Sequence, residues 1–194
     1  MNRRAFLGFG GLALTGLTVP ELARSAVRLA GHRLATPVAG SEPIEIRMFN
    51  DATGRFLFDP MGLLVEPGQT VRWVLKSGVH STTAYHPSNY NQSLRIPEGA
   101  TPWDSGITIE QGKTLDVTLT VPGVYDYYCL PHETAGMVGR IIVGEAIGPG
   151  SLPFDYFTDR ADAAEWRPLP VEAQAAFPSI KRILSAKVVH PPSA

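Results

Sequence analysis

The sequence predicts an all-β sandwich as the main domain of this 194-residue chain, and three observations support that prediction. Apolar and polar residues alternate over short stretches from residue 44 onward, as they do in half-buried strands. Turn-forming pairs such as Pro67-Gly68 and Pro122-Gly123 separate these stretches. Hydrophobic residues make up 44% of the chain, which is enough for a buried core. We therefore expect one all-β domain with additional segments at both ends.

Six strands are predicted in chain order, each from its local pattern. The third shows the pattern most clearly, because Val71, Trp73 and Leu75 fall on one face of an extended chain. Residues 86–106 lack alternation and are predicted to form a long excursion between strands. The predicted strands cover residues 44–49, 63–65, 70–76, 114–121, 124–129 and 139–144.

The first 40 residues have the layout of an export signal followed by a linker. Arg3 and Arg4 precede an apolar, glycine-rich run that is shorter than the ~20 residues needed to span a bilayer. Paired arginines before Phe6-Leu7 resemble a twin-arginine export signal, although Asn2 stands where Ser or Thr is usual. We therefore predict export to the periplasm or another extracytoplasmic space. No cysteine lies directly after the signal, so we expect no lipid anchor at a processed N-terminal cysteine.

The segment after the last predicted strand is predicted to be a C-terminal extension of short helices and loops. Pro170 can begin a short helix that runs to Ala176, because proline suits the first helical turn. A second helix is indicated by apolar residues at helical spacing, namely Ile180, Ile183, Leu184 and Val188. The aromatic content is too high for a free disordered tail, so the extension should fold back on the sandwich or dock a partner chain. The predicted domains are 1–40 for signal and linker, 41–146 for the sandwich and 147–194 for the extension.

Charge and cysteine content exclude several classes of function. The formal net charge of -1 gives no reason to expect binding to nucleic acid or to an anionic membrane surface. Cys129 is the one cysteine, so neither an intramolecular disulfide nor a zinc site with paired cysteines can form.

The loop that follows the fifth predicted strand carries the clearest chemical pattern. Cys129 is followed by His132 after two residues and by Met137 after four more. A blue-copper site uses two imidazoles and a thiolate in a trigonal plane, with a weak axial thioether. Pro131 prevents the strand from continuing, and Gly136 gives the loop the freedom to bring its donors to one ion. One copper ion of this type is the predicted cofactor.

The remaining imidazole should come from an earlier strand, and two histidines compete for that position. His80 is favoured because it follows the predicted strand 70–76 after a Ser-Gly turn, and His86 remains the alternative. His32 in the leader and His190 near the end of the chain are expected to be solvent-exposed. The predicted metal ligands are His80, Cys129, His132 and Met137.

Several motifs together make the chain resemble the cupredoxins of the plastocyanin, pseudoazurin and halocyanin group. The motifs are residues 66–73 (EPGQTVRW), 79–80 (VH), 95–106 (RIPEGATPWDSG) and 129–137 (CLPHETAGM). The resemblance covers about half of the chain. It implies a Greek-key β-sandwich, a type 1 copper ion and a role in shuttling electrons between larger redox partners. It also implies that His132 lies near the surface in an apolar patch.

The chain departs from this group at two points. Members of the group often tie the two ligand-bearing loops together through Asn after the first ligand histidine and Ser or Thr after the cysteine. Ser81 and Leu130 stand at these positions here, and such contacts orient ligands and tune a metal. The C-terminal extension is the second departure.

The predicted function is electron transfer by a blue-copper protein that is not an enzyme. A ligand set supplied entirely by the protein leaves no open position for a small-molecule substrate, unlike a catalytic metal site. The expected partners are redox proteins, either a cytochrome or a membrane redox complex. A copper carrier or storage protein is the alternative, and a component of a copper redox enzyme is a further one.

Overall fold

The computed structural model describes residues 42–193, so the predicted export signal and His32 lie outside the described residues. Within that range no helix is long and apolar enough to cross a membrane. The strands are β1 (Ile44–Asn50), β2 (Phe56–Asp59), β3 (Gly62–Val65), β4 (Gln69–Leu75), β5 (Thr83–Ala84), β6 (Thr114–Leu119), β7 (Gly123–Tyr128), β8 (Val138–Val143) and β9 (Val188–Val189). The helices are α1 (Val171–Ala176) and α2 (Ile180–Ala186), with short 3-10 helices at Leu130–Ala135, Pro149–Ser151 and Ala161–Ala163.

The strands form two sheets, which agrees with the predicted all-β sandwich. The first sheet has the order β2-β1-β4-β6, and the second has the order β5-β7-β8-β3-β9. The pairs β1–β4 and β3–β8 are parallel, and the other pairs are antiparallel. Parallel partners need a crossover, and here each strand from β3 to β7 lies in the other sheet from the strand before it, so both sheets are built from distant parts of the chain.

The main core lies between the two sheets and follows from the alternation read in the sequence. In β4, Val71, Trp73 and Leu75 are buried on one face, as predicted. The facing sheet contributes Tyr125 and Tyr127, and the Trp73 and Tyr127 rings meet edge to face with centroids 5.2 Å apart. Cys129 belongs to the same cluster of buried residues, so the core reaches the loop that follows β7.

The outer face of the second sheet is covered by the C-terminal extension. All six residues of β7 and all six of β8 are buried, which an exposed sheet face would not allow. Two apolar clusters fill this layer. One contains Tyr85, Tyr128, Val138, Leu169 and Ala173, and the other contains Val124, Ile142, Ile183 and Val189. The extension therefore folds back on the sandwich, which is one of its two predicted alternatives.

A buried ionic cluster lies in the same layer. Asp126 of β7 accepts hydrogen bonds from two arginines, Arg95 at 3.0 Å and Arg140 at 2.6 Å. The excess positive charge meets carbonyl oxygens of the extension, because Arg95 donates to Gly150 (2.8 Å) and Arg140 donates to Pro178 (3.3 Å). Buried charges are tolerated only when they are paired and hydrogen-bonded in this way.

The extension differs in detail from the sequence prediction. The helix expected after Pro170 is α1, and it ends at Ala176 as predicted. The second helix ends at Ala186, and Val188 instead lies in β9, which pairs with β3. The short strands β2, β5 and β9 were not predicted. The equally short β3 was predicted, from an apolar run that precedes the Pro67-Gly68 turn.

Candidate metal centre

Three of the predicted ligands meet at one end of the sandwich. Cys129 directly follows β7 and is fully buried, and His132 lies in the 3-10 helix that comes next. His80 arrives from the other sheet after β4, and its backbone exchanges two hydrogen bonds with Thr108. Within residues 42–193, one cluster of at least three histidine, cysteine, aspartate or glutamate side chains could hold a metal ion. It consists of His80, Cys129 and His132.

The three donor atoms form a nearly equilateral triangle. The Cys129 Sγ atom lies 3.6 Å from His80 Nδ1 and 3.5 Å from His132 Nδ1, and the two Nδ1 atoms are 3.2 Å apart. A triangle with sides of about 3.4 Å has its centre about 2.0 Å from each corner, which falls in the range of metal–nitrogen and metal–sulfur bonds. A thiol and two imidazoles around such a centre are the donors of a type 1 copper plane, so these residues fit the predicted ion.

The proton of the His80 ring is placed by Asn50. His80 Nε2 lies 2.9 Å from the Asn50 Oδ1 atom, and a carbonyl oxygen can only accept, so Nε2 carries the proton. The Nδ1 atom of His80 is then left with a free lone pair that points at the other two donors. Gly78 leaves room for this contact, because a Cβ there would lie 2.6 Å from Asn50 Oδ1 and 2.9 Å from His80 Nε2.

Burial controls the protonation of the three donors in the absence of a metal. Loss of solvation, with the His132 charge as a smaller cause, lowers the pKa of His80 to about 4. Loss of solvation also lowers the pKa of His132. It raises the pKa of the Cys129 thiol to about 11, against the opposing effect of the Ser81 N–H. At neutral pH both imidazoles are thus neutral and ready to bind a cation, and only the thiol must lose a proton.

The backbone of Met137 is hydrogen-bonded to two of the clustered residues. The Cys129 N–H donates to the Met137 carbonyl oxygen at 3.0 Å, and the Met137 N–H donates to the His132 carbonyl oxygen at 3.1 Å. Gly136 has φ of +78°, a conformation that suits glycine and reverses the chain before Met137. The Met137 side chain is 1% exposed and belongs to the main core. The ligand loop, residues 129–137, therefore closes on itself with its methionine buried.

Ser81 ties the two ligand-bearing loops together despite the sequence departure at this position. Its backbone N–H donates to Cys129 Sγ at 3.3 Å, and its hydroxyl oxygen accepts from the Leu130 N–H at 2.7 Å. The connection between the two loops is therefore kept in this sequence. The link runs from the Ser81 hydroxyl to the backbone of residue 130 and needs no polar side chain there.

Glu133 anchors the ligand loop to the layer below it. Its side chain is 7% exposed, and its carboxylate accepts from the Tyr85 hydroxyl at 2.9 Å and from Gln92 Nε2 at 3.3 Å. Desolvation raises the pKa of Glu133, against the lowering effect of its hydrogen bond from Tyr85. Helix α1 also touches this loop, since a Cβ at Gly136 would lie 3.1 Å from the Ala176 Cβ atom.

The rival histidine lies elsewhere. His86 is half-buried, and its Nδ1 atom is within 2.8 Å of the Ser88 hydroxyl rather than near Cys129. His190 is exposed, as expected, but it also pairs with Asp59 through Nδ1.

Sequence reasoning missed two residues that touch the predicted ligands. Asn50 contacts His80, and Phe56 stacks on His132 with ring centroids 3.6 Å apart and an interplanar angle of 5°. Both lie far from the ligand loop in sequence. The one available hint was the apolar run Phe56-Leu57-Phe58, which was not assigned as a strand.

The surface around His132 is partly covered. His132 is half-buried, and Pro131 and Ala135 beside it are exposed. Leu130 and Gly136 are half-buried because the C-terminal extension packs against that side of the loop. The uncharged surface beside the ligand loop is therefore centred on residues 131 and 135.

Comparison with known proteins identifies copper-binding proteins as relatives of this chain. Residues 47–144 match the family model of copper-binding proteins of the plastocyanin/azurin family. A chloroplastic plastocyanin from Chlamydomonas reinhardtii is 31% identical over 141 residues, which cover 68% of this chain and 79% of that protein. A pseudoazurin from Paracoccus pantotrophus is 30% identical over 131 residues, covering 67% of this chain and 75% of that one.

A solved structure of another pseudoazurin also matches. Native pseudoazurin from Hyphomicrobium denitrificans is 24% identical, and the match covers 77% of this chain and all of that chain with a TM-score of 0.46. The sequence relatives confirm the family resemblance that the motifs predicted.

Proposed function

We propose that this chain, which belongs to the plastocyanin/azurin family of copper-binding proteins, is a type 1 copper electron-transfer protein that works outside the cytoplasm. The observation that carries the proposal is the convergence of one thiol and two imidazole nitrogens within 4.8 Å of one another. Electron transfer is the general role of the family, and the partners and the location are our inference. Bound copper would supply one-electron redox chemistry at this point.

Each of the four proposed ligands has its own part. His80 and His132 offer neutral Nδ1 atoms, and Cys129 offers a sulfur atom that becomes a thiolate on metal binding. We assign the axial thioether to Met137, because its backbone is hydrogen-bonded to both Cys129 and His132. A protein with all four donors in place needs little rearrangement between oxidation states, which favours fast electron exchange over catalysis.

The proposed exit for electrons is the ring of His132. Of the three clustered donors it is the one that is not fully buried. Pro131 and Ala135 give its surroundings an exposed and uncharged character. Brief encounters between redox proteins use small interfaces of less than about 1,200 Å². We propose a cytochrome or a membrane redox complex as the partner.

The proposed organisation of the chain keeps the three predicted segments. Residues 1–40 would direct export through a twin-arginine-type signal, 41–146 would form the copper-binding sandwich, and 147–194 would cover its outer face. Folding of the metal site before export would be consistent with such a signal.

The experiment that tests the function is an absorption spectrum combined with rapid kinetics. The protein should bind one copper ion and show an intense visible thiolate-to-copper band, which Cys129→Ser should abolish. Stopped-flow reduction by a small cytochrome should be fast, without oxidase or nitrite-reductase turnover. Ready transfer of copper to a weak chelator together with sluggish electron exchange would point to a copper carrier instead.

The two candidate histidines are separated by a matched pair of variants. His80→Ala should destroy the visible band, because it removes a donor from the triangle. His86→Ala should leave the band nearly unchanged, because His86 contacts Ser88 instead. The opposite outcome would assign the ligand to His86.

A further inference from the structure

We propose that a single hairpin, formed by β1 and β2, positions both imidazoles of the metal centre through its last pair of residues. Asn50 ends β1 and Phe56 begins β2, and these two residues face each other across the hairpin. The inference rests on the proposed function, because it assigns positioning roles around the proposed ligands His80 and His132.

Asn50 fixes the ring of His80. The Nε2–H group of His80 donates to Asn50 Oδ1 at 2.9 Å, so the ring has one tautomer and one orientation. The Asn50 backbone is itself held, since its N–H donates to the Ser77 hydroxyl at 3.1 Å. Gly78 has φ of +82° and lies against both side chains, where a Cβ would collide with them. A hydrogen bond of this kind also makes the imidazole a stronger donor to a metal.

Phe56 fixes the ring of His132 by a different contact. The two rings are parallel to within 5° at a centroid distance of 3.6 Å. The same phenyl ring meets His80 nearly edge-on, at 6.2 Å and 70°. Phe56 is half-buried and packs against the main core, so its own position is fixed. It therefore covers one face of the half-buried imidazole and keeps water away from that face.

The hairpin turn is rigid enough to hold these two residues in place. Asp51 Oδ1 accepts from the backbone N–H groups of Thr53 and Arg55 at 2.9 and 3.0 Å. The Arg55 side chain donates back to Asp51 at 2.7 Å and also reaches the Pro192 carbonyl oxygen at 3.1 Å. The end of the chain thus supports the hairpin from outside.

The two contacts should act on the reduction potential with opposite sign. The oxidised site carries one more positive charge than the reduced site, so a stronger donor favours oxidation. Loss of the Asn50 acceptor weakens the His80 donor and should raise the potential. Loss of the Phe56 ring admits water to the His132 imidazole, which stabilises the more charged oxidised site and should lower the potential.

The test compares copper-loaded variants by voltammetry and visible spectroscopy. Asn50→Leu should raise the potential, whereas Asn50→Asp keeps an oxygen acceptor and adds negative charge, so it should lower the potential. Phe56→Ala should lower the potential. Phe56→Tyr keeps an aromatic ring, so its potential should stay close to that of the parent protein. Phe49→Ala is the control, because Phe49 lies in the same hairpin and its ring meets Arg47; it should leave the potential unchanged.

A second measurement uses the unmodified, metal-free protein and needs no variant to fold. Nitrogen-15 NMR should show the His80 ring protonated at Nε2 with slow proton exchange, and nuclear Overhauser effects should connect the Phe56 and His132 rings. Mixed or opposite tautomers, or missing ring contacts, would overturn the proposal.

The outcomes separate this inference from the proposed function. Unchanged potentials in both Asn50→Leu and Phe56→Ala, or shifts of equal size in Phe49→Ala, would overturn the positioning roles while leaving a blue-copper protein intact. Absence of a visible band in the copper-loaded parent would overturn the proposed function, and the NMR result would still decide whether the hairpin orients the two rings.

Discussion

Asp126 offers the sharpest test of how the extension and the sandwich are held together. It is completely buried and is shared by two buried arginines, Arg95 and Arg140. The substitution Asp126→Asn keeps the shape of the side chain and removes its charge. Two guanidinium groups would then lie in the interior without an anionic partner. We expect a large loss of stability and an unchanged absorption spectrum, because no donor atom of the metal centre belongs to this cluster.

The expected size follows from the cost of breaking a buried ion pair. Removing one partner and leaving the other buried costs about 3–5 kcal/mol. For a domain of this size each kcal/mol corresponds to roughly 2–4 °C, so the melting temperature should fall by about 6–20 °C. Contacts that remain after the substitution should keep the loss near the lower end. Arg95 still meets the Phe154 ring, with its guanidinium carbon 4.6 Å from the ring centroid, and Arg140 still meets Phe177 at 4.8 Å.

The assay is thermal unfolding of the metal-free protein, followed by circular dichroism. Asp116→Asn is the matched control, since Asp116 also pairs with an arginine on a strand but both side chains are about 40% exposed. Solvent screens that pair, so its loss should shift the melting temperature far less. Equal shifts in the two variants would refute the argument that burial makes the Asp126 cluster important.

Four further predictions concern the metal centre and the surfaces around it. Met137→Leu should keep the copper and its colour and raise the reduction potential, because the axial thioether is weak; loss of copper would contradict that role. Ala135→Glu should slow electron exchange with a cytochrome in stopped-flow measurements without loss of copper, and an unchanged rate would place the exit elsewhere. Affinity for Cu(I), measured by chelator competition, should rise about tenfold per pH unit from pH 7 to 9. The reason is that the Cys129 thiol, with a pKa of about 11, must lose one proton, whereas His80, with a pKa of about 4, is already neutral. A flat profile would show that the thiol is already ionised. Removal of residues 151–194 should lower the melting temperature, because it uncovers β7 and β8, and an unchanged value would contradict the packing of the extension.

Much of the sandwich could be predicted because its strands are long enough to show a period. In β4 the apolar residues Val71, Trp73 and Leu75 fall at every second position, and the face they form is buried. In β7 and β8 both faces are buried. The alternation in β7 therefore identified a strand without revealing that a second layer covers it. Asp126 and Arg140 within these strands gave no indication of burial. Each of these charged side chains can be buried only because it pairs with the other.

The candidate site could be predicted where its residues are neighbours in sequence. Cys129, His132 and Met137 lie within nine residues, so their spacing alone suggested a shared ion. The contacts of Asn50 and Phe56 could not be found in this way, because they depend on the register in which β1 and β2 pair. Asparagine and phenylalanine are both common away from metal sites, and only the three-dimensional arrangement brings these two against the histidines.

The arrangement of these contacts bears on how firmly the chain itself holds the donor atoms. The ligand loop is held by its own backbone bonds, by Ser81 and by the buried Glu133, and each of these contacts is made by atoms other than the proposed metal donors. The imidazoles are held independently by the hairpin. A donor triangle that the protein fixes in this way cannot relax freely toward the geometry that either oxidation state prefers. A small rearrangement on electron transfer then follows from the packing of the chain. The rearrangement should become larger, step by step, as these supports are removed.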